Sequence, residues 1–166
     1  MKTLTDLLST LPQTGRVEWL GVRPARYAPV IQQQTIQAEA ATGLLGDRYQ
    51  SSGKRQVTLI QAEHLDVLTK LLGTIVEPTL LRRNILVSGI NLVALKSARF
   101  QIGEVLLEGT GPCEPCTRME MALGPGGYNA MRGHGGITAR IVSGGWISVG
   151  DAVKFVGLSV STAARV

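Results

Sequence analysis

Glycine falls at almost every boundary between the short apolar runs of this chain, and that punctuation most limits its fold. There are 20 glycines in 166 residues. So many turns and close backbone approaches suit a set of short strands rather than a helical bundle. Residues 16–22 alternate apolar and polar side chains and read as a strand, and 30–40 are strand-like as well. Residues 43–49 carry two glycines and mixed charge, which makes a loop. Residues 56–60 are β-branched and apolar, the pattern of a buried strand. Residues 62–72 place Leu65, Leu68, Leu71 and Leu72 at helical spacing, and Gly73 stops that helix.

Farther along, 85–87 form an apolar strand directly after Arg82, Arg83 and Asn84, and 100–109 form a hairpin turning near Gly103. Two prolines stiffen the turn at 111–116. Short helical turns follow at 117–123 and 128–132, and strands at 137–142, 146–149 and 152–156 close the fold. The expectation is mainly β: one barrel-like domain over 1–166 with short helical insertions and a core at about 16–156. A helix at 3–11 docks through Leu4, Leu7, Leu8 and Leu11, and 158–166 form a tail.

Aromatics are 4% of the chain, so aliphatic side chains must fill the core. The net charge of +5 selects an anionic partner: nucleic acid, a membrane surface or a small ligand. Few aromatics disfavour single-stranded nucleic acid, which needs stacking platforms. No apolar run reaches the roughly 18 residues of a membrane span. The first residues do not read as an export signal, and two cysteines without one suit a reducing cytoplasm.

Cys113 and Cys116 are the foremost chemical candidates. A thiol reacts as thiolate, which is favoured at a helix N-terminus or beside a cation; Cys116 precedes a predicted helix and Arg118. Three readings compete with plain buried packing. A redox pair lacks its usual βαβ setting. A zinc site needs four ligands, and the chain has two cysteines and only His64 and His134, without finger spacing. A single soft ligand for a metal held mainly by another molecule needs one thiolate. His64, beside Leu65 on a helix, reads as structural. Gly135 and Gly136, flanked by His134, Arg132 and Arg140, offer either converging amides for an anion or a tight turn. Arg82, Arg83 and Asn84 suit a phosphate or ring edge, although successive strand residues face opposite ways. Asp47 reads as a turn residue or the partner of a nearby arginine.

In sequence order, Gly43-x-x-Gly46-Asp47-Arg48-Tyr49, residues 55–60, residues 81–85, Phe100-x-Ile102-Gly103, Pro115-Cys116, Gly133-x-Gly135-Gly136-Ile137-x-Ala139-Arg140 and Gly145-x-Ile147-x-Val149-Gly150-Asp151 together resemble the MOSC domain family. The resemblance implies a split-barrel fold and the molybdenum cofactor (Mo-molybdopterin), an anionic pterin. It implies Cys116 as metal ligand or sulfur-accepting group. Arg55, Arg82, Arg83, Asn84, Arg118, Arg132, His134, Gly135, Gly136 and Arg140 are the residues expected to bind the cofactor. It implies an oxidoreductase of N-hydroxylated compounds fed by a separate redox partner, or a sulfur carrier charged by a separate cysteine desulfurase. Cys113 lies outside the family pattern, so a disulfide with Cys116, a persulfide-resolving role and no role all stay open.

Overall fold

Alternation along the strands decides which faces close on one another. The computed structural model describes residues 1–160. The chain begins with α1 (Leu4–Leu8) and β1 (Thr14–Val22). In β1, Thr14, Arg16 and Glu18 face solvent while Gly15 and Val17 face inward, and a register shift between Val17 and Trp19 turns Trp19 to the outer, helix-covered side. β2 (Ile31–Gln33), β3 (Thr35–Glu39) and β4 (Gly43–Leu44) follow, then β5 (Val57–Gln61), buried at all its positions. Next come α2 (Ala62–Leu72), α3 (Pro78–Leu81), β6 (Ile85–Ser88) and a short 3-10 turn at Leu92–Leu95. β7 (Ala98–Ile102) and β8 (Val105–Pro112) make the hairpin that turns at Gly103. α4 (Thr117–Leu123), α5 (Gly127–Met131), β9 (Ile137–Ser143), β10 (Gly145–Ser148) and β11 (Ala152–Leu158) complete the described chain.

β11 pairs with both β7 and β1, which closes the circuit β1–β11–β7–β8–β9–β5–β6 into a seven-stranded barrel. Closure removes the sheet edges. β5 and β6 are parallel, and α2 and α3 fill the crossover that a parallel pair requires. β2 extends β1, while β10, β3 and β4 form a small antiparallel sheet. The barrel interior is aliphatic, with Leu20, Leu59, Ile85, Ile102, Leu107 and Val153 around Phe100. A second apolar cluster, with Trp19, Ile60, Leu68, Met119 and Met131, packs the helices onto the outside.

Four local expectations need correction. The N-terminal helix stops at Leu8 rather than residue 11, and it exposes Leu4, Leu7 and Leu8. A Thr3–Asp6 capping box holds it, and only Leu11 packs on the core. Residues 30–40 are not one strand: the chain breaks at Gln34, so β2 serves the barrel and β3 the small sheet. The loop at 43–49 contains the two-residue β4. Of the expected tail, Leu158 belongs to β11 and residues 161–166 lie outside the described chain.

Gly136 shows how tightly β9 enters the barrel wall. Its φ is +85°, and a Cβ there would overlap the Leu59 carbonyl on β5. Gly136→Ala is therefore expected to cost at least about 3 kcal/mol, from left-handed strain plus a backbone clash. Urea unfolding of the cofactor-free protein measures it.

Candidate functional site: an arginine-lined cleft beside Cys116

The chain leaves β8 at Pro112 and runs through Cys113, Glu114 and Pro115 to Cys116, the residue that caps α4. The two thiols are free and differently placed: Cys113 is buried, and Cys116 is exposed. Both line a solvent-open cleft. Arg23, Arg48, Arg55, Arg82, Arg83 and Arg118 line the same cleft, and Glu114 is the only acid in its lining.

A buried polar network aims these cations. Asp47, placed by the turn at Gly46, is 1% exposed. It accepts from the Arg23 backbone N–H (2.7 Å), from Arg23 Nε (3.1 Å) and Nη2 (3.0 Å), and from Asn84 Nδ2 (3.1 Å). The Asn84 carbonyl oxygen accepts from Arg23 Nη2 and from the Thr58 N–H and hydroxyl. Burial alone pushes the Asp47 carboxyl up, but Arg23's hydrogen bonds and charge, with the Arg23 and Tyr49 amides, hold it below the ordinary carboxylate value. Asp47 thus pairs with Arg23, 24 positions away in the chain, and not with its neighbour Arg48.

Arg82 and Arg83 reach the cleft together because neither is on a strand. Arg82 caps α3 in the left-handed region (φ 54°), and β6 begins only at Ile85. The expected opposite facing of successive strand residues therefore does not apply. Arg82 donates to the carbonyls of Ala25, Arg26 and Ala28, and Arg118 donates to that of Arg26. Burial and crowding by Arg118, Arg23 and Arg48 push the Arg82 guanidinium below its ordinary value. Arg83 is 7% exposed and donates to the carbonyls of Gly135 (2.9 Å), Leu81 (2.9 Å) and Cys113 (3.4 Å). Burial pushes Arg83 down most strongly, and the nearby sulfurs of Cys113 and Cys116 oppose that. A buried cation with carbonyl but no carboxylate partners leaves positive charge for a bound anion to balance.

Family comparison matches residues 45–154 to the MOSC domain model. The chain belongs to the MOSC domain family. The same fold appears in solved structures. The YuaD protein of Bacillus subtilis superposes with a TM-score of 0.77 at 17% identity, covering 90% of this chain and all of that one. YiiM of Geobacillus stearothermophilus gives 0.67 at 14% identity, over 91% of this chain and 82% of that one. YiiM of Escherichia coli gives 0.67 at 18%, over 90% and 76%. No curated protein sequence matches significantly.

The MOSC cleft gathers Cys116, Arg55, Arg82, Arg83 and Arg118 among the residues expected from sequence. Asn84 lies behind it, fully buried in the Asp47 network. Gly135 and Gly136 supply carbonyls to Arg83 and to the Cys113 N–H, and so brace the cleft wall. Arg132, His134 and Arg140 are not brought to the cleft. Arg132 is exposed, His134 packs edge-on against His64, and Arg140 pairs with Glu108 on the barrel wall. Sequence reasoning missed Arg23, Arg48 and Tyr49. Arg48 stacks 4.5 Å from the Tyr49 ring centroid and donates to its hydroxyl, and Arg23 sits 4.8 Å from the same ring. The Gly46-Asp47-Arg48-Tyr49 run marked two of them, whereas Arg23 follows β1 with no local motif.

Proposed function

We propose that this MOSC protein holds the molybdenum–pterin cofactor in the Arg-lined cleft, with Cys116 as thiolate ligand, and acts as an oxidoreductase on N-hydroxylated compounds. One observation carries the reading: an exposed soft sulfur lines a cleft with six guanidinium groups and a single acid. The donor set fits the group. No cluster of three or more His, Cys, Asp or Glu side chains suited to a metal occurs among the described residues, so Cys116, the exposed thiol, would be the chain's ligand and the pterin dithiolene would supply further sulfurs. Arginine forks suit the phosphate on the pterin.

When bound, the molybdenum supplies two-electron oxygen-atom transfer. The chain's own residues bind and orient. Cys116 binds the metal as thiolate. Arg55, Arg82 and Arg118 would pair with the anionic groups, while the buried Arg83 would add a further positive charge to the cleft wall. Electrons come from a separate flavin or iron–sulfur partner, and two free thiols suit a cytoplasmic setting. No helix among the described residues is long and apolar enough to cross a membrane.

Protein isolated from a cofactor-competent host is expected to carry molybdenum and pterin in equal amounts, with Cys116→Ala lowering both at least about tenfold. Metal-free protein, or full loading of Cys116→Ala, contradicts the proposal. The exposure of Cys116 favours a second reading, a sulfur carrier charged by a cysteine desulfurase. Intact mass after incubation with desulfurase and cysteine would then show a one-sulfur adduct that Cys116→Ala lacks, and an unchanged mass removes this reading.

A further inference from the structure

We propose that His64 and His134 form a pH-sensitive positioning pair: with His64 neutral, the pair holds the Gly135–Gly136 strap against Arg83 and Cys113, and protonation of His64 loosens it. The inference rests on the proposed function only for what the cleft binds; the pair and the strap stand without it.

His64 on α2 and His134 in the loop between α5 and β9 meet edge-to-face, with centroids 4.9 Å apart and planes at 77°. His134 Nδ1 lies 2.9 Å from the Ala130 carbonyl, so Nδ1 carries the hydrogen and Nε2 keeps a lone pair. His64 Nδ1 is buried with no hydrogen-bond partner. A proton added there becomes a buried donor without an acceptor, packed against a second imidazole. Burial pushes His64 below its ordinary value most strongly, His134 pushes it further down, and Glu63 pushes it up. The Glu63 carboxylate is already occupied by Gln61 Nε2 (2.6 Å) and the Gly89 N–H (2.7 Å). Arg132, two residues before His134, is exposed to solvent.

Transmission to the cleft is short. His134 N–H donates to the Met131 carbonyl, and the next residue, Gly135, gives its carbonyl to Arg83 Nε at 2.9 Å. The Gly136 carbonyl accepts from the Cys113 N–H at 2.9 Å. Gly135 packs so closely on the Cys113 carbonyl that a Cβ would overlap it. Movement of residue 134 would therefore shift both the Arg83 guanidinium and the Cys113 backbone.

The sign follows from linkage. A histidine depressed in the folded state contributes stability that is complete above about pH 6.5 and is lost as pH falls from there through the folded value. An NMR titration of the cofactor-free full chain between about pH 5 and 8 tests the inference. The His64 ring is expected to titrate below its ordinary value, with the Gly135, Gly136 and Cys113 amides and Arg83 Nε–H moving at the same midpoint. His134→Gln moves the His64 midpoint up, and His64→Gln removes that midpoint from the glycine amides. Strap signals that stay flat while His64 titrates, or a His64 midpoint unchanged in His134→Gln, overturn the inference. Because no cofactor is present, failure here is distinct from failure of the molybdenum reading.

Discussion

Asp47→Ala is expected to destabilise the protein by about 3–5 kcal/mol, the range for removing one partner of a buried ion pair. The Arg23 and Asp47 side chains are 7% and 0% exposed, and their 3.0 Å contact is the only ion pair so deeply enclosed among the described residues. Truncation strands the Arg23 guanidinium and also strips acceptors from the Asn84 amide and the Arg23 backbone. By contrast, Glu108 sits with Arg99 and Arg140 on a partly exposed wall, where such pairs are worth about 0–1 kcal/mol. Urea unfolding of Asp47→Ala and Glu108→Ala separates the two cases. Asp47 also sets an acid limit. Its folded value lies below the ordinary carboxylate value, so its contribution is complete above about pH 4 and is lost as pH falls through the folded value. Acid unfolding of Asp47→Ala should lose that component.

Arg83→Met is expected to weaken retention of the anionic pterin about tenfold to a hundredfold, with stability changed by no more than about 2 kcal/mol. Two effects oppose each other in the free protein. The carbonyls of Gly135, Leu81 and Cys113 lose donors, at about 1–3 kcal/mol for each left unsatisfied. Removing a buried charge without a carboxylate partner returns several kcal/mol. In the bound state only the loss remains, because the balancing cation beneath the thiols is gone. Arg140→Met, on the barrel wall and paired with Glu108, is the matched control and should retain the cofactor. Molybdenum remaining after gel filtration reads both variants. Equal retention by Arg83→Met and Arg140→Met contradicts the assignment.

Much of the barrel is legible in the sequence because strand alternation and glycine turns are local signals. Gly103 turns the β7–β8 hairpin, Gly73 stops α2, and the apolar run at 56–60 is the fully buried β5. Break points set by tertiary pairing are not legible. Nothing at Gln34 announces that β2 and β3 join different sheets, and the α1 leucines have helical spacing without a surface to cover them. For the site, Cys116 and the arginines at 82 and 83 stand in motifs, and Arg118 follows Cys116 by two residues. Arg23 escapes because its partner Asp47 comes from a distant loop, and Arg140 misleads because Glu108 on β8 claims it. Gly135 and Gly136 offer amides by sequence, yet the packing of β9 on β5 and on the Cys113 loop spends those glycines on close approach. A single chain records which residues tolerate crowding, not which neighbour crowds them.

Everything functional depends on the Cys116 sulfur binding a metal carried by an anionic guest. Molybdenum K-edge X-ray absorption on the loaded protein addresses that bond itself. The prediction is a sulfur shell that loses one neighbour when Cys116 is replaced by serine, with the dithiolene sulfurs intact. An identical sulfur shell in wild type and Cys116→Ser would contradict it.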